Sequence, residues 1–419
     1  MNNTFSSDEI NVLKQHGIVL FAERVIFDTR PPMETADIAA VQAQLAGPLP
    51  PPLLELWAQT AGGRLHYDLR LTMDGQEEAI SWIELFFNGS DGYRDLQGWI
   101  EHERELAMEQ AELDEKEWDG KLSYLPFGGF EYCDRIYVTV KAGAQYGHIL
   151  AWKQGLPPAW THALHNDGIA TVAPDLAAAF AALRLHQDPL APTGDYFAGQ
   201  SLLDYIDERV EQHALASALA DKLIDFYRTA IVDWRTPLAQ GRLALQPSLA
   251  SIALSHAIGS DDAALIAQLA AADIALDQPV QGSALATETA MGDQAFSALH
   301  ALIGAGAPVA PTILNNIDSA VPADLIQTLL AHGAIPTASA IAQCIACGAT
   351  DSAQVIALAY AQQHDDLATA YDAAKRSLLA ELEPSLSKVR QGKLGHYLGE
   401  QGLAARIDHL QKNIPGLSL

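Results

Sequence analysis

The feature that most constrains the fold is a change of texture near Ser201. Before it the chain carries aromatic residues and short runs that alternate apolar and polar side chains. After it alanine and leucine dominate, aromatic residues thin out and the strand signals disappear. A chain with such a break folds as an α+β part followed by an all-α part. A length of 419 residues agrees, since it exceeds one typical compact domain.

The second part repeats itself. Residues 252–262, ending Gly259-Ser260-Asp261-Asp262, correspond to residues 283–293, ending Gly292-Asp293. Each leads into an apolar helix, carrying Leu265, Ile266 and Leu269 or Phe296 and Leu299. Each then reaches a small-residue turn, Ala272-Asp273 or Gly306-Ala307. Two weaker copies follow, from Ile313 to Gly333-Ala334 and from Ile341 through Gly348-Ala349, so the period is about 28–32 residues. Short helix, glycine-acid turn, longer helix and Gly-Ala resembles the ankyrin repeat, although no copy holds an intact Thr-Pro-Leu-His signature. The resemblance implies a stack of binding surfaces without chemistry of its own. Residues 246–362 are assigned to these ankyrin-like repeats, residues 201–245 to connecting helices and residues 363–419 to capping helices.

Proline and glycine punctuate the first part. Pro31-Pro32 closes a segment, residues 1–34, that reads as an amino-terminal extension with apolar runs at 18–22 and 25–27. Thr35 or Asp37 caps a helix carrying Ile38, Val41 and Leu45, and Gly47-Pro48 stops it. Pro50 to Pro52 open a second helix with Leu53, Leu56 and Trp57 on its buried stripe, and Gly62-Gly63 ends it. Strands are expected over residues 65–71, 80–87, 122–127, 135–140 and 147–152, the last three as an antiparallel meander. Residues 98–120 enclose an acidic helix, and a last helix starts at Pro174-Asp175 with Leu176, Phe180 and Leu183 on one face. Together these make an α+β domain over residues 35–185, followed by a linker at 186–200.

Charge and composition exclude some functions. Apolar residues make up 49% and charged residues 18%, which is ample for packed cores. The net charge of −27 disfavours nucleic acid and anionic membranes as partners, and favours a cationic protein or simply solubility. Three cysteines, Cys133, Cys344 and Cys347, suit a reducing compartment. With a polar amino terminus and no apolar run of about 18–20 residues, the expectation is a cytoplasmic protein without a membrane segment.

No motif for a catalytic nucleophile, a phosphate loop or a zinc protease is present, so no enzyme, cofactor or metal is expected. Cys344-Ile-Ala-Cys347 lacks a second ligand pair and falls in an apolar helix, where buried structural cysteines are common. His162 and His165 lead into a turn with no acidic pair beside them. The most distinctive charged feature is the run Glu101, Glu103, Glu105, Glu109, Glu112, Asp114, Glu115, Glu117 and Asp119, set against only Arg104 and Lys116. It reads either as a solvated helix face or as a docking surface for a basic protein. Tyr67, Trp82, Phe86 and Tyr93 are candidate aromatic anchors beside it or, alternatively, core.

Leu49-Pro50, Leu53 to Trp57, Gly62-Gly63 and Leu125-Pro126-Phe127-Gly128 ahead of a strand meander resemble the SUKH superfamily over about residues 35–185. After Gly128-Gly129 this chain departs from the common pattern, with Glu131-Tyr132-Cys133-Asp134 in place of an acidic, glycine-rich turn. The resemblance implies an α+β fold and a non-enzymatic immunity protein that binds a cognate toxin, often a nuclease or deaminase, and occludes its active site. It also admits an intracellular regulatory scaffold with housekeeping protein partners. A basic, nucleic-acid-directed toxin would suit a partner charged at −27.

Overall fold

The computed structural model describes residues 4–412 except 74, 91, 93, 132, 154–167, 194–196 and 282–283. The chain divides into two compact units, Met1–Val232 and Asp233–Leu419.

The first unit opens with helix α1 (Ser7–Gln15), which has a complete capping box between Ser6 and Glu9. Strands β1 (Ile18–Phe21) and β2 (Arg24–Phe27) follow as a hairpin whose reversal places Ala22 and Glu23 at positive φ. Helices α2 (Thr35–Gln42) and α3 (Pro51–Trp57) come next, the latter with proline in its first turn where no donor is lost. Then come β3 (Gly63–Arg64), the hairpin β4 (Arg70–Met73) and β5 (Gln76–Ala79), and β6 (Glu84–Leu85). Helix α4 (Leu96–Leu113) precedes the meander β7 (Tyr124–Phe130), β8 (Asp134–Thr139) and β9 (Ile149–Lys153). Strand β10 (Ile169–Ala173) and helices α5 (Leu176–Ala182), α6 (Gln200–Glu211) and α7 (Ser217–Arg228) complete the unit.

Eight strands form one antiparallel sheet in the order β1-β2-β3-β6-β7-β8-β9-β10. The period of two divides β8 cleanly. Arg135 and Tyr137 point to the face covered by α4, where they meet Glu103. Ile136 and Val138 point to the other face, where Val138 lies near Leu53 of α3 and Leu176 of α5. Trp82 binds the layers on that side, edge-on to Phe127 of β7 and Phe180 of α5 at 5.7 and 5.3 Å between ring centres.

Two boundaries differ from those expected. Residues 1–34 do not stand apart as an extension, because β1 and β2 are two of the eight strands and Leu13, Ile18, Val25 and Ile26 lie in the main core. Arg24, itself buried, donates from Nε to the Leu183 carbonyl and from Nη2 to the Ala181 carbonyl, so the hairpin closes the carboxyl end of α5. Nor does the first unit stop before residue 201. Leu202 and Ile206 of α6, with Leu223, Phe226 and Tyr227 of α7, pack into that same core. The residue-to-residue alternation at 65–71 and 80–87 also yields less strand than expected: the main sheet takes only β6 from them, β3 ends just before residue 65, and β4 lies in a separate hairpin.

The second unit is helical apart from a small hairpin. It holds α8 (Arg235–Ala239), α9 (Pro247–Gly259), α10 (Ala263–Ala271), strands β11 (Pro279–Gln281) and β12 (Ala284–Leu285), α11 (Ala286–Gly292) and α12 (Phe296–Gly304). After a 3-10 turn, Ile313–Asn316, follow α13 (Ala323–Ala331), α14 (Ala338–Ala346), α15 (Thr350–Ala361), α16 (Leu367–Arg390) and α17 (Gly399–Gln411). The helices stack as pairs, α9 beside α11, α10 beside α12 and α13 beside α15. The acidic turn read as a repeat mark has a physical job: Asp262 caps α10 through the Leu265 N–H, while Asp261 accepts from the Ala298 N–H of α12 in the next pair.

Candidate interaction surface

Helix α4 starts at Asp95, whose carboxylate accepts the Gly98 N–H at 2.8 Å. Leu96, Trp99, Ile100 and Glu103 fall at i, i+3, i+4 and i+7 and are the buried side chains of the helix. Glu101, Glu105, Met108, Glu109 and Glu112 fall at i, i+4, i+7, i+8 and i+11, the opposite stripe, and all are exposed. Asp114, Glu115, Glu117 and Asp119 lie beyond the helix end in an exposed connection that turns at Glu115, φ +53°. Two of these four acids are engaged locally: Asp114 pairs with Lys116 at 3.2 Å, and Asp119 accepts the Lys121 N–H at 2.9 Å.

Apolar side chains interrupt this acidic face. Met108 is 51% exposed in the middle of the stripe and Leu113 is 79% exposed at its end. An acidic rim around solvent-facing apolar groups offers both a steering field and contact area.

One of the nine acids does not belong to the surface. Glu103 is 3% exposed and lies beneath the helix. Its Oε1 accepts from Arg135 Nη1 and from the Tyr137 hydroxyl, each at 2.8 Å. The Arg135 guanidinium sits 3.5 Å from the centre of the Trp99 ring and 5.5 Å from that of Trp152. Burial, reinforced by the Glu103 carboxylate, raises the Tyr137 hydroxyl well above its ordinary pKa, so it stays protonated and donates. Glu103 therefore pins α4 to β8 and is withdrawn from the docking residues. The sequence held a partial signal for this: Ile136, Val138 and Val140 alternate, which sets Arg135 and Tyr137 together on the opposite face.

The aromatic anchors are corrected as well. Tyr67, Trp82 and Phe86 are all buried. Tyr67 accepts the Val25 N–H on its hydroxyl and packs on Tyr227 at 4.8 Å between ring centres. Trp82 bridges Phe127 and Phe180, and Phe86 stacks on Trp99 at 5.7 Å. Each large ring is worth more in the core than on the surface, and none is available to a partner. Tyr93, like His162 and His165, lies outside the described residues.

Chemistry elsewhere is sparse. Among the described residues no group of three or more histidine, cysteine or carboxylate side chains could hold a metal ion. Cys344 is buried in α14 and burial pushes its thiol up to about 12, while Cys347 is half-buried with its thiol also raised by burial. A cavity of about 160 Å³ opens between the amino ends of α3 and α5 and strands β8 and β9, with a largely apolar lining of Pro50–Leu53, Val138, Ile149 and Leu176. No described helix is long and apolar enough to cross a membrane.

What the first unit presents is thus a sheet with its polar linchpin buried, and an acidic helix face with two apolar side chains turned outward. No curated protein and no solved structure matches the chain. Residues 32–181, from just before α2 into α5, match the model of the SMI1 / KNR4 family (SUKH-1), so the first unit carries a domain similar to that family.

Proposed function

We propose that this chain is an immunity protein that binds a cognate toxin and blocks its active site, without catalytic chemistry, metal or cofactor of its own. SUKH-type domains are commonly immunity proteins, and the match over residues 32–181 supports that theme. The observation that carries the proposal is the outer face of α4. Glu101, Glu105, Glu109 and Glu112 form an exposed stripe around Met108, held rigidly from below by Glu103 and Arg135. Side chains this close repel one another, and like charges at i, i+4 cost a helix about 0.2–0.5 kcal/mol per pair. A cationic partner would relieve that repulsion on docking. The toxin is accordingly a basic protein, of the kind that acts on nucleic acid, met in the cytoplasm.

The second unit would add a further protein-binding surface of ankyrin-like build. Its positive-φ turns support that reading and lengthen the period read from the sequence: Asp261 and Gln294 hold corresponding places, as do Asp273 and Gly306, each pair separated by 33 positions in the numbering rather than about 28–32. The spacing is that of an ankyrin repeat. The same stack also favours the alternative, a regulatory scaffold for housekeeping proteins. Co-expression with a candidate toxin encoded beside this chain separates the two: an immunity protein forms a complex on size exclusion and restores growth. Absence of both complex and rescue sinks the immunity role, and a pull-down dominated by housekeeping proteins supports the scaffold.

A further inference from the structure

Helix α6 begins in an unusual way. Its N-cap is Gly199, at φ +110°, with no side chain to satisfy the first N–H groups. A Cβ there would stand 2.8 Å from Pro189 Cβ and 3.1 Å from Tyr227 Cε1, so the usual serine, threonine or aspartate cap has no room. The missing acceptor comes from 135 positions away along the chain: His66 Nδ1 accepts the Ser201 N–H at 3.1 Å. The carbonyl of the same residue accepts the Tyr227 hydroxyl of α7. His66 is 8% exposed, so one buried histidine bonds to both helices.

The cap works only while the ring is neutral, with its proton on Nε2. A protonated imidazole cannot accept at Nδ1, and it would set a positive charge against the positive end of the α6 dipole. Burial, helped by Arg64, lowers the His66 pKa, while Asp68 and Asp204 of α6 pull the other way. His186 lies in the same seam. Its backbone N–H donates to Asp68 Oδ2 at 2.8 Å, and its ring Nδ1 is 3.8 Å from that oxygen. Burial lowers its pKa too, with Asp68, Arg70 and Glu77 facing it.

We propose that His66 is an acid-sensitive latch: protonation withdraws the trans cap from α6 and loosens the docking of the helix pair α6–α7. A histidine whose pKa is lowered when docked takes up its proton more readily once released. Docking is therefore strongest above the ordinary histidine value of about 6.5 and weakens as pH falls from there toward the lowered docked value, at most about tenfold per pH unit for one proton. This inference is independent of the proposed binding role.

Hydrogen exchange on the full chain, read by mass spectrometry at about pH 7.5 and about pH 5.5 with times scaled for intrinsic exchange, tests it. The amides of residues 200–211 lose up to about tenfold of their protection at the lower pH, while those of β7 and β8 keep theirs. In His66→Asn the amide oxygen takes the place of Nδ1 without titrating, and the loss disappears. In His186→Asn the loss persists. Equal α6 protection at both pH values in the unaltered chain overturns the proposal even if His66→Asn does not fold, as does an undiminished pH effect in that variant.

Discussion

Glu103→Ala separates the buried acid of α4 from its exposed neighbours most sharply. The substitution leaves Arg135, 3% exposed, with its carboxylate partner gone and removes the acceptor of the Tyr137 hydroxyl. Breaking one side of a buried ion pair costs about 3–5 kcal/mol, because the surviving charge remains desolvated. Part of the guanidinium is still held over Trp99 at 3.5 Å, which places the expected loss near the middle of that range, about 4 kcal/mol. At a urea slope of about 2 kcal/mol per molar, the midpoint falls by about 2 M. Tryptophan fluorescence is the natural readout, since Trp57, Trp82, Trp99, Trp118, Trp152 and Trp160 belong to the first unit and only Trp234 to the second. Replacing both partners, as Glu103→Leu with Arg135→Met, removes the uncompensated charge and recovers most of the loss. Glu105→Ala on the outer stripe moves the midpoint by less than about 0.3 M, in line with ordinary surface substitutions. A Glu103→Ala shift as small as that of Glu105→Ala, or a double variant no better than the single one, would refute the assignment of Glu103 to the core.

Further outcomes follow from local geometry. Gly129→Ala, at φ +144° with the new Cβ driven into the Asp134 carbonyl oxygen, destabilises the first unit by about 2 kcal/mol or more in urea melts. Gly304→Ala, at the end of α12 with open space around it, instead stabilises by about 0.4–1 kcal/mol. At pH 8 the raised thiol pKa of Cys344, about 12, leaves almost no thiolate, and reactivity appears only as pH rises toward that value. A maleimide-type or iodoacetamide label mapped by mass spectrometry therefore modifies exposed Cys133 and spares Cys344, and early labelling of Cys344 would contradict its burial.

The parts of the fold legible in the sequence are those fixed by local chemistry. Pro50 to Pro52 and Gly62-Gly63 bracket α3, Asp175 caps α5, and alternation at 135–140 marks β8. What stayed hidden depends on partners distant in the chain. Nothing near Glu103 distinguishes it from Glu101 or Glu105, because its burial is decided by Arg135 and Tyr137 on a strand that follows a long connection. Tyr67, Trp82 and Phe86 have the composition of binding anchors, and only the packing of Phe127, Phe180, Trp99 and Tyr227 around them makes them core. The same holds for β1 and β2, which read as an extension until β3 pairs with β2 and joins the hairpin to the sheet. The His66 cap on α6 is of this kind too, with acceptor and donor on opposite sides of the unit's sequence.

The outer face of α4 is either a docking surface or a solvated helix side, and reversing its charge tells the two apart. The chain with Glu101, Glu105, Glu109 and Glu112 all changed to lysine keeps the buried side of the helix intact and alters only the exposed stripe. Its affinity for the cognate toxin of the proposed immunity role, measured beside that of the unaltered chain at low and high salt, should fall at least tenfold at low salt. The difference should shrink as salt screens the field. Equal affinities at low salt, in a variant whose urea midpoint shows it folded, would mean that the stripe is only a solvated surface.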